Sequence, residues 1–506
     1  MDSSKLSNDY SGLSERTARW LTADNAMLIG ADAAMAQGGE SLDVYDPSTG
    51  APFAKVPAAD AADVDRAVGA ARTAFESGPW PRMKPVERER LMLKLADLLA
   101  EQGRSFAELE VVNSGRLLGA TQAIDVDFSV DCLRYMAGWA TKIEGRTANL
   151  SVPYLPGSKF LGFTTKEPVG VVAAITPWNV PLSQAIWKIA PVLATGCCVV
   201  VKPAEQTPLT TLRFARLALE AGIPPGVINV VTGTGAVAGA ALVAHPGVDK
   251  ISFTGSTQTG RNIAAAAAPH FKKVSLELGG KSPMIVFDDA DLDLVIPGVA
   301  WGIFGNHGQN CCAGSRLYVQ QGVYDKVMAG VADIARSIRL GHGLGAESQM
   351  GPLISAAHKA RVNAYIESGV AQGAELVSGG GDIDHPGYYV EPTVFANVTG
   401  DMTIVQEEIF GPVLAAAPFR TEDEVLAAAN QSKYGLGASL WTADINRVHR
   451  MSARLEAGSI WVNNHNTLDL AMPFGGFKDS GMGQELSEAA IDQHTRIKAH
   501  FHAIHG

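Results

Sequence analysis

The chain has 506 residues, of which 46% are hydrophobic and 18% charged, and its formal net charge at pH 7 is -11. This composition is typical of a globular protein with about three domain-sized units, and it excludes a fibrous or disordered chain. The acidic balance argues against nucleic acid or an anionic membrane as the main partner.

Cysteine usage and the apolar runs indicate a location. The 5 cysteines include two adjacent pairs, which are poorly placed for a disulfide framework, so we expect a reducing compartment. The start of the chain lacks the continuous apolar core of a secretory signal. The longest interior apolar run, from Ile189 to Val201, is shorter than the roughly 18 residues that a spanning helix needs. We therefore expect a cytoplasmic protein with no membrane span.

The first predicted elements follow a polar segment that gives no assignment. Extended signals occupy 41–56, and a helix is predicted between Pro85 and Gly103. Four leucines form the apolar face of that helix: Leu91, Leu95, Leu98 and Leu99. The helix is therefore expected to pack on a larger body.

From about Phe163 onward, short apolar β-rich runs alternate with helical stretches. The helix predicted over 207–220 has Thr207 as its cap, Pro208 in its first turn and Gly222 just past its end. The predicted strands are Val169 to Ile175, Cys197 to Val201, Val227 to Val231 and Lys250 to Phe253. Strands that are apolar on both faces and separated by helices predict a parallel α/β sheet.

Two strand ends in this region are candidate dinucleotide contacts. In FTGSTQTG, 253–260, a strand turns at Gly255 into a helix near Ser256, and a helix N-terminus is a ready anion site. Lys202 and Glu205 follow another strand, where they could contact ribose hydroxyls, and the carboxylate would repel a 2′-phosphate. The glycines of GTGAVAG, 233–239, are spaced one residue too far apart for the usual fingerprint, so a packing role is equally consistent with them. A solvated surface pair is the alternative for Lys202 and Glu205.

Two further positions carry candidate chemistry. Glu277 lies in the apolar run VSLELGG, where a carboxylate needs a partner or a raised pKa that suits a general base; a half-exposed edge residue is the alternative. Cys311 and Cys312 lie in FGNHGQNCCAGSR, 304–316, a run that favours a turn. Backbone N–H groups that are exposed in such a turn could lower the pKa of a thiol and so activate it as a nucleophile. Buried structural thiols are the alternative there.

Several motifs together resemble the NAD(P)-dependent aldehyde dehydrogenase family. They include LELGGKSP around Glu277, FGNHGQNCCAGSR around Cys311, TPWN with Asn179, EEIFGPV with Glu408, KPAEQTP, FTGST and PFGGFKDSG. They occur in the family's order from about Asp43 to the C-terminal region. The resemblance implies an NAD-dependent oxidation of an aldehyde to a carboxylic acid.

The resemblance also implies the catalytic roles. Cys311 would attack the aldehyde, with the oxyanion held by the Asn179 side chain and the Cys311 backbone N–H. Glu277 would then activate the water that hydrolyses the thioester. Lys188 would lie on the proton route from Glu277, with a structural role as its alternative. Cys312 has no assigned role and is expected to line the pocket.

The cofactor implied is NAD, with NADP as the alternative, because Glu205 disfavours a 2′-phosphate. Lys202 and Glu205 resemble ribose contacts, and Trp178 and Ser256 would lie near the pyrophosphate. The other cofactor positions implied are Ile175, Thr176, Gly235, Phe253, Gly255, Leu278, Glu408 and Phe410, of which Glu408 and Phe410 would position the nicotinamide and its ribose.

The fold implied is α/β, with three parts. Residues 1–147 and 167–278 would form a Rossmann-type cofactor domain, and 279–478 an α/β catalytic domain. Residues 148–166 and 479–506 would form a small β arm that pairs with another subunit to make a dimer or tetramer. The tail histidines, His500, His502 and His505, are expected on an edge strand rather than at a metal.

The substrate positions implied are Val180, Trp187, Gly305, Leu468 and Phe474. Many relatives place aromatic residues at the first, third and fourth of these, so this chain is expected to have a wider tunnel. The segment WVNNHNTLDLAMPFGG is most similar to phenylacetaldehyde and other aromatic-aldehyde dehydrogenases. We therefore expect a bulky, aromatic aldehyde.

Four other hypotheses about the function stay open at this point. The first is a member of the same family that acts on aliphatic aldehydes or semialdehydes. The second is a CoA-acylating relative, although such relatives lack a glutamate at the Glu277 position. A non-catalytic NAD-binding protein is the third, and it would need none of Cys311, Asn179 and Glu277. A cofactor-free cysteine hydrolase is the fourth, and it predicts ester cleavage without NADH formation.

Overall fold

The computed structural model describes residues 10, 12–381 and 383–505. The first nine residues of the predicted cofactor segment and the final residue of the predicted arm lie outside this description. Among the described residues, no helix is both long enough and apolar enough to cross a lipid bilayer.

The largest sheet has eight strands and a parallel centre. Its order from edge to edge is Asp32–Ala34, Met27–Ile29, Ile228–Val230, Cys198–Lys202, Val171–Ile175, Lys250–Thr254, Lys273–Glu277 and Gly481–Met482. The five strands from Ile228–Val230 to Lys273–Glu277 pair in parallel, and the outer pairings are antiparallel. The central strands are buried throughout because helices cover both faces. The predicted parallel α/β sheet is confirmed.

A second sheet has seven strands. Their order is Glu375–Ser378, Thr393–Ala396, Val413–Phe419, Arg316–Gln320, Pro283–Val286, Gly437–Trp441 and Ser459–Val462. All neighbours pair in parallel except the first two strands. Clusters of buried apolar residues pack against both sheets, and the division of the chain into two α/β domains stays a prediction.

A third, antiparallel sheet joins the tail to the middle of the chain. Strand Thr495–Ile504 pairs along its whole length with Lys159–Pro168, which also pairs with Thr147–Ala148. Two of the tail histidines pack in this sheet: the His500 ring stacks on Phe163 with 4.5 Å between centroids, and the His502 ring lies edge-on to Phe163 at 5.1 Å. No cluster of three potential metal-binding side chains occurs in the described part of the chain. Pairing of this sheet with another subunit stays a prediction.

Two small two-stranded antiparallel sheets complete the β structure that the described residues form. Ser41–Asp46 pairs with Ala51–Pro57, and Tyr434–Gly435 pairs with Phe477–Lys478. Strand Gly481–Met482 belongs to the eight-stranded sheet, although the predicted boundary places it with the arm.

Helices cover these sheets. The α-helices are Glu15–Thr22, Ala61–Glu76, Pro85–Glu101, Gly103–Ser114, Leu118–Ala120, Phe128–Trp139, Pro181–Thr195, Leu209–Ala221, Ala240–Ala244, Thr257–Ala267, Leu292–Phe304, Tyr324–Ser337, Ala356–Ala371, Thr403–Gln406, Glu422–Asn430, Ile445–Ser452 and Ser487–Gln493. Wider π-helical turns occupy Thr121–Asp127 and Gly235–Gly239, and tight 3-10 turns occupy Trp80–Arg82 and Ala268–His270; the turn at Gly305–Gly308 contains two residues with positive φ.

One predicted helix start is wrong. The helix expected from Thr207 begins at Leu209 after Pro208, without a side-chain cap. The Thr207 hydroxyl is buried without a hydrogen-bond partner among the described atoms. Instead, Asn113 accepts a hydrogen bond of 3.4 Å from the Leu209 N–H, because a neighbouring helix packs against this end. Gly222 ends the helix in the left-handed region, as predicted.

The two large sheets join at a pair of glycines. After strand Lys273–Glu277 the chain crosses through Gly279 and Gly280 into strand Pro283–Val286. A Cβ on Gly280 would lie 2.2 Å from the Cys311 carbonyl oxygen, and one on Gly279 would lie 2.3 Å from a Glu408 carboxylate oxygen. The crossing therefore needs glycine for close approach rather than for an unusual φ.

We expect Gly280→Ala to lower the thermal unfolding midpoint by several degrees, since forcing an atom into a packed region costs about 1–3 kcal/mol. Differential scanning calorimetry measures this change. Gly69→Ala is the matched control, because a Cβ there meets no atom within 4 Å. An unchanged midpoint for Gly280→Ala would contradict the close approach.

Candidate functional site

The candidate nucleophile lies just after a left-handed turn. Asn306 and His307 have φ values of 51° and 58°, a region that non-glycine residues adopt at a cost. The Asn306 side-chain amide donates to the backbone carbonyls of Asn179, at 3.1 Å, and Gln309, at 2.9 Å. The Asn179 amide also donates to the Gln309 carbonyl, at 2.9 Å. These bonds tie the turn to the predicted oxyanion donor.

Cys311 is the half-buried thiol of the adjacent pair, and Cys312 is buried. The Cys312 N–H donates to the Asn310 side-chain oxygen at 3.0 Å, and the His465 ring donates to the Cys312 carbonyl at 2.9 Å. Its neighbour Cys311 and burial together raise the pKa of the Cys312 thiol well above its usual range. Cys312 is therefore held as a neutral thiol, which leaves Cys311 as the accessible one.

Two cavities meet at Cys311. One has a volume of about 370 Å³ and the other about 240 Å³, and both are lined by Asn179, Gln184 and Cys311. A sulfur at this boundary can contact a molecule in either cavity. Such an arrangement brings two reactants to one atom.

The larger cavity lies where strands of the eight-stranded sheet end. Pro177 and Trp178 follow one strand, and Gly255 and Ser256 follow another, and all four line it. The Ser256 hydroxyl caps helix Thr257–Ala267 by accepting a 3.2 Å bond from Thr259. Backbone amides at such an end suit a phosphate. The predicted cofactor residues that line this cavity are Trp178, Gly255, Ser256, Leu278, Glu408 and Phe410.

The other predicted cofactor residues lie on or beside these strands without lining the cavity: Ile175, Thr176, Lys202, Glu205, Gly235 and Phe253. The Lys202 ammonium donates to the Glu205 carboxylate at 3.1 Å and to the Gly233 carbonyl at 2.9 Å. Burial lowers the pKa of Lys202, and Glu205 opposes that shift. The two side chains therefore form a pre-arranged pair, and their cofactor role stays a prediction.

Glu408 and Phe410 are held in place in the wall of this cavity. Glu408 accepts a 2.9 Å bond from the Gly280 N–H, and burial raises the pKa of its carboxyl to about 7. Phe410 has a φ of 62° and lies edge-on to Trp178, with 5.3 Å between ring centroids. The His358 Nε2 lies 2.7 Å from the Phe410 carbonyl and donates to it. His358 was not predicted to be part of the site, since nothing in its local sequence distinguishes it from a surface histidine.

Glu277, at the end of strand Lys273–Glu277, is buried with 3% exposure. Neither carboxylate oxygen has a hydrogen-bond partner among the described residues. Burial raises the pKa of Glu277 well above its usual range, the Glu485 carboxylate raises it further, Lys188 opposes the rise and Cys311 adds to it. An unsatisfied buried carboxylate beside a thiol is costly and characteristic of a functional site.

Lys188 does not contact Glu277 directly. Its buried ammonium is paired with Glu485, a residue that sequence reasoning missed. The Ser252 hydroxyl also donates to Glu485, at 3.3 Å. The run GQELSEAA around Glu485 is typical of an exposed helix start, so only the tertiary packing shows that this carboxylate is buried.

The smaller cavity has an aromatic side. The Trp187 ring lies 5.9 Å from that of Phe128 and 5.6 Å from that of Phe474. Four of the five predicted substrate residues line the cavity: Val180, Trp187, Leu468 and Phe474. Among the described residues, Gly305 does not line this cavity, whereas its neighbour Asn306 does. Sequence reasoning missed Phe128 and Ile124 because their helical segment is remote from the motifs.

The chain is similar to known proteins along nearly its whole length. Residues 34–500 match the model of the aldehyde dehydrogenase family. Phenylacetaldehyde dehydrogenase of Pseudomonas fluorescens is 50% identical over 481 residues, which cover 95% of this chain and 96% of that protein. An aldehyde dehydrogenase of Alternaria alternata is 44% identical over 499 residues, which cover 98% of each protein.

Solved structures give the same family. The NAD+ complex of aldehyde dehydrogenase from Bacillus cereus superposes with a TM-score of 0.95 at 45% identity, covering 97% of this chain and 99% of that one. The NAD-dependent aldehyde dehydrogenase from Sinorhizobium meliloti superposes with a TM-score of 0.93 at 41% identity, covering 97% and 96%. With a family match along most of its length and relatives well above 30% identity, the chain belongs to the aldehyde dehydrogenase family and is an oxidoreductase of the aldehyde group.

Proposed function

We propose that the protein oxidises a bulky, aromatic aldehyde to its carboxylic acid with NAD, through a thioester on Cys311. The observation that carries the proposal is the position of the Cys311 thiol at the meeting point of two cavities, beside a buried carboxylate without a hydrogen-bond partner in the described chain. One cavity would hold the cofactor and the other the aldehyde.

The first half of the reaction uses Cys311 and Asn179. The thiolate adds to the aldehyde carbon, and the negative charge moves to the aldehyde oxygen. One N–H of the Asn179 amide is bonded to the Gln309 carbonyl at 2.9 Å, and we assign the other to this oxyanion together with the Cys311 backbone N–H. The bond to Gln309 fixes the amide before the substrate arrives, so little reorganisation is needed.

The larger cavity fits a dinucleotide. It combines a helix N-terminus at Ser256, a glycine at 255 and a buried carboxylate at Glu408. Bound NAD would supply the hydride acceptor that converts the thiohemiacetal into a thioester. Glu205 favours NAD over NADP because its carboxylate would face the 2′-position and repel a phosphate.

Glu277 carries the second half of the reaction. As a carboxylate, it takes a proton from the water that attacks the thioester, which releases the acid and the Cys311 thiol. Its environment raises the pKa, so the ionised form is a stronger base than an exposed glutamate. We assign the exit route of that proton to the buried ion pair of Lys188 and Glu485, because both of its members act on the charge of Glu277.

The substrate class follows from the smaller cavity. Three aromatic rings on one side match a flat apolar ring, which gains from edge and face contacts. The 50% identity to a phenylacetaldehyde dehydrogenase supports the same class. A semialdehyde is less favoured, because Arg116, the cation that lines this cavity in the described chain, is already ion-paired with Asp125.

The remaining assignments belong to the same proposal. Residues 1–147 with 167–278 form the cofactor domain, 279–478 the catalytic domain, and 148–166 with 479–506 the arm, apart from strand Gly481–Met482 of the eight-stranded sheet and the residues outside the description. Exposed apolar side chains on the arm strand, Ile497 at 71% and Phe501 at 68%, support its pairing in a dimer or tetramer. Five unpaired thiols support a cytoplasmic site of action.

We expect Cys311→Ala to abolish NADH formation and Glu277→Gln to give one rapid turnover followed by a slow steady state. The glutamine keeps the volume but cannot accept the proton, so the thioester accumulates. Stopped-flow absorbance of NADH measures both. Cys132→Ala, which removes a thiol buried in helix Phe128–Trp139, is the control and should retain the wild-type burst and steady-state rate. Full activity in Cys311→Ala would refute the proposal, and ester cleavage without NADH formation would favour a hydrolase.

The pH dependence of the steady state follows from Glu277. A neutral carboxyl cannot act as a base, so hydrolysis should slow as the pH falls through the raised pKa of Glu277. The rate of the NADH burst and the steady-state rate are measured across pH 5 to 9. In Glu277→Gln, the fall of the steady-state rate at low pH that is due to Glu277 should disappear. If the wild-type rate instead falls at the pKa of an exposed carboxyl, the buried environment of Glu277 is contradicted.

We expect kcat/KM for phenylacetaldehyde to exceed that for acetaldehyde by at least about tenfold, and Phe128→Ala to reduce this ratio by about tenfold. The aromatic ring at 128 is one wall of the cavity, so its loss weakens contacts that only the larger substrate makes. Phe271→Ala, at an aromatic residue that is 96% exposed, is the control. Highest kcat/KM on short aliphatic aldehydes would contradict the substrate assignment.

A further inference from the structure

A buried arginine lies behind the left-handed turn. Arg116 follows Gly115, which ends helix Gly103–Ser114 with a φ of 75°, and its side chain is 2% exposed. The guanidinium forms a buried ion pair with Asp125. Its Nε donates to the Asn306 side-chain oxygen at 2.7 Å. The desolvation cost of burying such a pair is roughly offset by the mutual attraction of the two charges, so stability alone is a weak reason for it.

The contact to Asn306 has a directional consequence. An asparagine amide presents an oxygen on one side and an NH₂ group on the other, and a half-turn of the amide exchanges them. A guanidinium can only donate and backbone carbonyls can only accept. With Arg116 on one side and the carbonyls of Asn179 and Gln309 on the other, only one orientation of the Asn306 amide satisfies all three partners.

The orientation of the Asn306 amide affects the position of the reacting groups through the Gln309 carbonyl. The Gln309 carbonyl accepts from both Asn306 and Asn179, and Gln309 lies two residues before Cys311. Fixing Asn306 therefore fixes the Asn179 amide and the backbone that carries the thiol. The left-handed conformation of Asn306 itself, with φ 51°, needs such support.

We propose that Arg116, held by Asp125, is a positioning residue that orients the Asn306 amide and thereby the Asn179 amide and the Cys311 turn. The inference rests on the proposed roles of Cys311 and Asn179. Arg116 also lines the smaller cavity, so direct binding of a substrate carboxylate is the competing role, and the neutralising Asp125 argues against it.

A double-mutant cycle tests the proposal. Arg116→Met and Asn306→Ala should each lower kcat by about 10- to 100-fold, with KM for the aldehyde changed by less than about twofold, because misplacing reacting groups by about 1 Å costs up to about 100-fold. The double variant should be no slower than the slower single one, since both act through one amide. Arg116→Lys should not restore kcat, because a single ammonium cannot span both Asp125 and Asn306.

Two further measurements separate positioning from simple stability. The rate of Cys311 alkylation by iodoacetamide should fall in Arg116→Met, while the Kd for NAD stays as in the wild type. Arg88→Met is the matched control at a second arginine that is 6% exposed and lies away from both cavities; it should lower the melting temperature and leave kcat unchanged. Asp125→Asn provides a milder variant should Arg116→Met not fold, and it should give a smaller loss of kcat with the same KM.

The outcomes that overturn the inference are distinct. Multiplicative losses in the double variant would show that the two residues act independently. A rise in KM confined to a carboxylate-bearing aldehyde would assign Arg116 to the substrate. A lower melting temperature with unchanged kcat would make it structural. Failure of the proposed function would appear instead as aldehyde oxidation that survives Cys311→Ala, whereas the alkylation rate would still report the geometry of the turn.

Discussion

The close approach between the Gly279–Gly280 crossing and the turn that carries Cys311 is the constraint on which the site depends. At this point the chain passes from one large sheet to the other, and a single Cβ at Gly280 would meet the Cys311 carbonyl at 2.2 Å. The same crossing gives Glu408 its backbone partner and follows directly after Glu277. The thiol, the buried base and one wall of the larger cavity are therefore set by the same few backbone atoms. Small shifts here would move all three together.

Buried charge is the second common feature of the site. Glu277 and Glu408 are both carboxyls whose pKa values are raised by burial. Glu408 has one backbone donor, whereas Glu277 has none from the described chain. Such environments oppose stability and are retained where chemistry needs them. The unpartnered carboxyl suits proton transfer, and the partnered one suits holding a ligand in place.

The sequence was sufficient for the elements whose signal is local. Strands such as Val171–Ile175 and Lys250–Thr254 are apolar on both faces, so composition alone predicts them, and Ser256 at a helix start is recognisable as a cap. The cap expected of Thr207 failed because Asn113, from a distant helix, supplies the hydrogen bond. Local pattern predicts an element, and tertiary contacts decide its exact end.

The candidate site was only partly predictable for the same reason. Cys311 and Glu277 lie in recognisable motifs, but Phe128, His358, Glu485 and Arg116 reach the site from remote segments whose local sequence is ordinary. Their importance arises from burial and from the partners they meet. Gly305 shows the reverse case, in which a position implied by resemblance lies beside the cavity lining rather than in it. The motifs predict the residues that carry out the chemistry, whereas the residues that support them can be identified only from the three-dimensional structure.

Intact-protein mass spectrometry tests the central claim most directly. Glu277→Gln is mixed with phenylacetaldehyde and NAD, quenched in acid and weighed, and the adduct is located by peptide mapping. The account predicts one acyl group per chain, on the sulfur of Cys311. The mass of the chain should therefore rise by the mass of the aldehyde less two hydrogens. An unmodified chain that has nevertheless produced NADH, or an acyl group on Cys312, would contradict it.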